Sequence, residues 1–124
     1  MAELIVLCVA AGGLIGAPTR FLVDRFVADR VERDFPLGTF LINISGSFLL
    51  GLLTGLDFAG NMPILVKAFV GTGFCGAYTT FSTWSYETVR LLEEGDYLEA
   101  FLNAVGSLVI GLLAAGAGIA VGLL

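Results

Sequence analysis

The chain has no histidine, one lysine, one tryptophan, two cysteines and three prolines among its 124 residues. Without imidazoles there is no ordinary acid–base group for neutral pH and no His-based metal cluster, and the isolated thiols Cys8 and Cys75 form no CxxC pair. We assign these cysteines no redox role. Charge is also scarce, at 14 % of residues, and no two carboxylates are placed for paired acid and base work. An enzyme is therefore not expected. The formal charge of -5 gathers at Asp24, Asp29, Glu32, Asp34, Asp57 and the run Glu93, Glu94, Asp96, Glu99, which disfavours a nucleic-acid partner. The N-terminal MAELIVLCVAAGG has no basic region and no small-residue cleavage site, so it reads as a retained first helix.

What is present is apolar: 57 % hydrophobic residues with 17 glycines and a mean hydropathy of +0.95. That composition marks an integral membrane protein, all-α and a single domain over residues 1–124. At roughly 20 residues per span, the apolar stretches read as four transmembrane helices: Leu4 to Ala28, Leu37 to Leu56, Ile64 to Val89 and Leu98 to Leu124. A bundle of four with a filled centre has no room for a wide aqueous pore, so association is expected.

Small and polar residues fall in stripes. Gly12 and Gly16 form a GxxxG in the first span, which is expected to end or kink around Pro18 to Arg20. Arg20 precedes the polar cluster and is costly in lipid unless it snorkels or faces water. After the linker Asp29 to Pro36, the second span carries Thr39, Asn43, Ser47, Gly51 and Thr54 at helical spacing, with Gly51 and Gly55 as a second GxxxG. The fourth carries Asn103, Ser107, Gly111, Ala115, Gly118 and Gly122. Packing accounts for the glycines. Asn43 is different, because a carboxamide near mid-membrane must find partners, either another helix or a dehydrated anion.

The stretch Gly71 to Tyr86, GTGFCGAYTTFSTWSY, is uncharged yet rich in glycine and hydroxyls. It predicts a helix broken within the bilayer, with a glycine turn at Gly71, Gly73 and Gly76 before a hydroxyl-rich half. Phe81 and Trp84 share a face of that half, as core or as an exposed wall. The interior thus offers neutral donors: the Asn43 and Asn103 amides, the Ser82, Thr83 and Ser107 hydroxyls, and aromatic ring edges. A succession of weak donors suits a small, strongly hydrated anion that must shed water without being trapped.

Three motifs, GLIGAPTR at 13–20, GTFLINISGSFLLG at 38–51 and GFCGAYTTFSTWSYE at 73–87, occur in an order that resembles the Fluc/CrcB fluoride channels. With the fourth span the resemblance covers essentially the whole chain. It implies an antiparallel, dual-topology homodimer in a plasma or inner membrane, with two fluoride pores along the subunit interface. It further implies that Asn43, Phe81, Ser82, Thr83, Trp84, Asn103 and Ser107 line the pore, with Arg20 near a vestibule. A structural sodium ion would be held at the dimer twofold by the backbone carbonyls of Gly76 and Thr79. Trp84 stands where the family pattern has a second phenylalanine, adding an N–H donor beside an aromatic edge, and Asn103 stands where a tyrosine is usual.

The activity so implied is passive export of cytoplasmic fluoride, conferring resistance to it. Two alternatives stay open from the residues alone. One is a proton-coupled small exporter, which would need an ionisable group in mid-membrane, whereas Glu3 and Glu87 lie at span ends. Another is an assembly subunit whose stripes are packing faces. Arg25, Arg30, Arg33 and Arg90 in loops one and three, against Lys67 in loop two, also allow a fixed-orientation half of a heterodimer.

Overall fold

The computed structural model describes residues 1–32 and 35–124; Arg33 and Asp34, with that part of the charged linker, lie outside the described residues. Four helices are long and apolar enough to cross a membrane, Ala2–Arg30, Leu37–Phe58, Ile64–Glu93 and Tyr97–Leu123. We label the first two α1 and α2. The third span divides into α3, made of Ile64–Val66, Lys67–Cys75 and Gly76–Tyr78, and α4, Ser82–Glu93; the fourth span is α5, Tyr97–Leu123. The expected boundaries are met within a few residues, because lipid leaves a span's backbone no hydrogen-bond partner outside the helix.

The first expectation to fail is the end of helix one. α1 runs through Pro18 to Arg30. Proline removes one helical N–H, but its ring sits at an exposed position clear of neighbours, and the next carbonyl, Ile15 O, accepts an additional bond from the Thr19 hydroxyl at 2.6 Å. Arg20 therefore lies within a continuous helix, roughly three turns from its end.

Glycines set the two closest helix pairings. A Cβ on Gly12 or Gly16 would overlap the backbone carbonyl of Phe69 or Phe74, so α1 seats directly on α3. Across the molecule α2 and α5 interlock: Gly51 and Gly55 lie on Ala115 O and Ile119 O, while Gly118 and Gly122 lie on Phe48 O and Leu52 O. With no hydrophobic drive between helices in lipid, this close backbone approach is what supplies the packing attraction. The glycine ends of the two stripes thus face each other, with Gly111 beside Ser47.

α3 corrects a second expectation. Gly71, Gly73 and Gly76 make no turn: the first two are buried in a nine-residue π-helical stretch, Lys67–Cys75, and Gly76 is helical at φ -61. Gly73 lets the wide turn approach α1, where an added Cβ would come within 2.6 Å of Val9 O. The chain leaves the helix later, at Thr79 to Phe81, with Thr79 extended at φ -79, ψ 158. Positive φ occurs where the connections need it, at Gly60 (φ 80) and Gly95 (φ 81). Each follows a helix end closed by paired bonds, Asn61 N to Leu56 O at 2.9 Å and Asp96 N to Leu91 O at 2.9 Å being the outer ones.

Alternating spans put Arg25, Arg30 and Arg90 at one end of the bundle. At the other end Lys67 pairs with Asp57 at 2.7 Å.

Candidate functional site

The break is held from another helix. Asn43, on α2, donates from Nδ2 to Thr80 O and accepts the Thr80 N–H at Oδ1, both at 2.9 Å. The amide thereby answers both backbone groups of Thr80, the middle residue of the break. Thr80 in turn restarts the chain, its Oγ1 accepting the Thr83 N–H at 3.2 Å as a helix cap. A continuous helix would have given the Thr80 N–H to Gly76 O, so the Gly76 carbonyl loses that donor.

Three cavities follow one another from the break toward the arginine-rich end. The first, about 320 Å³, is lined by Asn43, Ser47, Thr80, Phe81, Trp84 and Ser107. Asn43 keeps its second amide hydrogen for this space, since one Nδ2 proton is committed to Thr80. Phe81 is 76 % exposed in the single chain, and its ring leans on Trp84 at 5.1 Å and 50°. The second cavity, about 220 Å³, shares Thr80 with the first and adds Arg20, Asp24, Thr39 and Thr83. A third, about 310 Å³, shares Asp24 and adds Glu87 and Arg90. Asp24 rests on Gly38 in the first turn of α2, where the helix dipole is positive. Glu87 Oε1 is buried and has no hydrogen-bond partner among the described residues.

The expected site residues therefore separate. Asn43, Phe81, Trp84 and Ser107 meet around one cavity, while Thr83 and Arg20 meet around the next. Ser82 is exposed beside them, its hydroxyl 3.4 Å from that of Thr80. Asn103 lies behind the wall with 0 % exposure. The indole N–H expected to serve an anion is committed instead, donating from Trp84 Nε1 to Asn103 O at 2.9 Å, so Trp84 brings only its ring to the cavity. Sequence reasoning missed Thr80 as the keystone, although it is one of two hydroxyls immediately before Phe81. It also missed Asp24, one helical turn beyond Arg20.

On another face a groove of about 580 Å³ runs between α2 and α3, past Leu50, Thr54, Thr72, Gly76 and Thr79, to the Lys67–Asp57 pair. Gly76 is exposed on it. Among the described residues no three His, Cys, Asp or Glu side chains could hold a metal ion.

Comparison with known proteins matches this arrangement to one family. The model for the CrcB-like protein family, Camphor Resistance (CrcB), matches residues 7–119. A protein of Streptomyces avermitilis named Fluoride-specific ion channel FluC 1 is 50 % identical over 113 residues, 91 % of each chain. One of the same name from Leifsonia xyli subsp. xyli is 47 % identical over 122 residues, 98 % of this chain and 89 % of its own. Fluoride-specific ion channel FluC 2 of Mycobacterium tuberculosis is 52 % identical over 103 residues, 83 % of this chain and 79 % of its own. A family match over nearly the whole length, on a four-span bundle whose third helix is broken, makes this chain a member of the CrcB-like family of multi-pass membrane proteins.

Proposed function

We infer that the protein is a fluoride channel that exports cytoplasmic fluoride passively and so confers resistance to the ion. The observation that carries this reading is the cavity beside the break, where the second Asn43 amide hydrogen, the Ser47 hydroxyl and the Phe81 edge offer neutral donors to one space. Such donors replace part of a small anion's hydration shell without holding it as tightly as a cation would. Relatives named as fluoride-specific channels support the choice of ion. The adjoining cavity, which shares Thr80, carries its route to Arg20, whose positive charge faces the same space as Asp24 and so limits that carboxylate's repulsion of the ion.

The working unit is an inverted pair of protomers with two pores along their interface. Its support is the groove beside Gly76, where a backbone carbonyl that has lost its helical donor would in a lone chain face lipid. Gly76 and Thr79 fit a sodium ion at the twofold: Thr80 N–H is turned away from Gly76 O, and Thr79 is extended. Two carbonyls from each copy would supply four hard oxygen ligands and neutralise otherwise unpaired backbone.

A paralogous partner in place of the second copy is favoured by one observation, the excess of arginine at one end. Proteoliposomes holding this chain alone decide between these readings. Fluoride efflux at a fluoride electrode, without a pH gradient and without chloride efflux, is the expected result. Efflux that needs a pH gradient would overturn the channel in favour of an exporter, and silence relieved by a co-purified paralogue would establish the heterodimer.

A further inference from the structure

Asn103 closes a ring of hydrogen bonds behind the cavity wall. Its Nδ2 donates to Thr88 Oγ1 at 2.8 Å and lies 3.4 Å from Trp84 O. Thr88 Oγ1 itself donates to Trp84 O at 2.9 Å, and the Trp84 indole returns to Asn103 O at 2.9 Å. The remaining amide oxygen accepts from the Ser107 hydroxyl at 3.4 Å. The π-helical turn Leu102–Gly106 carries Asn103 into this position, and the carbonyl that receives the indole also accepts the Ser107 N–H. Thus the first two turns of α4 are tied to α5 by groups that are each satisfied by the other side.

Phe81 has no comparable anchor. It begins α4 and leans on the Trp84 ring. Anything that frees Trp84 therefore frees the aromatic wall, and anything that removes the Asn103 carbonyl of the amide group frees the Ser107 proton. We propose that Asn103 and Thr88, neither of which lines the cavities described above, are positioning residues that fix the Phe81–Trp84 wall beside the passing anion. In this arrangement Asn103 acts on the ion only through its neighbours. The proposal rests on the fluoride-channel reading for its transport consequence, but the lock itself is a statement about Trp84.

That separation makes it testable, because Trp84 is the only tryptophan in the chain. Thr88→Val removes the hydroxyl and keeps the shape. It should slow fluoride efflux from proteoliposomes about tenfold, the factor carried by roughly one lost hydrogen bond, and shift the Trp84 emission. Asn103→Leu, which loses the donor to Thr88 without adding charge, should do both as well. Thr88→Ser keeps the hydroxyl and should restore both readouts. Wild-type efflux with unshifted emission in Thr88→Val overturns the proposal. So does slowed efflux in Asn103→Leu with none in Thr88→Val, which would place Asn103 on the ion directly, and so does a loss in Thr88→Ser as large as in Thr88→Val. If the unaltered protein passes no fluoride, either alone or with a co-purified paralogue, the channel reading fails, and the emission shift still decides the lock.

Discussion

Replacing Asn43 by aspartate changes one atom and two interactions. The Thr80 N–H keeps its acceptor, now a charged one, while Thr80 O loses the Nδ2 donor at 2.9 Å. Interhelical hydrogen bonds in membranes contribute roughly 0.6 to 2 kcal/mol, so Asn43→Asp should cost about 1 kcal/mol and still fold. The transport cost is larger. An anion about 4 Å from the new carboxylate is repelled by about 4 kcal/mol at an effective dielectric constant near 20, roughly a thousandfold in rate at about 1.4 kcal/mol per decade. The measurement is the initial fluoride efflux rate from proteoliposomes, normalised to protein that elutes as a single species. Asn43→Ala should fold less well than Asn43→Asp, because it strips both partners from Thr80. Efflux within tenfold of the unaltered protein in folded Asn43→Asp would refute both the placement of Asn43 beside the ion and the electrostatics used here.

Phe81→Ile should slow efflux about tenfold, by the loss of a ring edge, with little change in the melting temperature of the single chain's fold, since Phe81 is 76 % exposed. Equal loss of melting temperature and rate would instead make Phe81 a packing residue. Gly118→Leu would place a Cβ 2.7 Å from Leu52 N and upon Phe48 O, both backbone, and should cost about 1–3 kcal/mol or more in thermal unfolding. Arg20→Glu should lower the efflux rate most at low ionic strength, where the field of a partly exposed charge is least screened; a salt-independent loss would remove Arg20 from the entrance. Exchanging sodium for N-methylglucamine should lower the thermal stability of the assembled protein, and an unchanged melting curve would count against the Gly76 and Thr79 carbonyls as sodium ligands.

The spans and their packing faces were legible because both are written locally. Apolar length fixes a membrane helix, and glycines every fourth residue fix where another can lie, as Gly51 and Gly55 do against α5. The break was legible as an event but not as a place. Glycine suggested a turn at Gly71, Gly73 and Gly76, yet all three stay helical and Gly73 serves close packing on α1, while the chain opens at Thr80 because Asn43, 37 residues earlier, supplies its partners. No local pattern encodes that distance. The same holds for Asn103, which looks like a lining amide in a polar stripe until Trp84 and Thr88 enclose it. Pro18 misled in the opposite sense, since a helix stopper in water is tolerated by a span that has nowhere else to send its backbone.

The clamp between Asn43 and Thr80 also makes the shape of one span depend on another. Without that amide the Thr80 N–H and C=O would stand unpaired at membrane depth, and the third span could spare them only by closing into one continuous helix. Its division into two is conditional on a single side chain of α2.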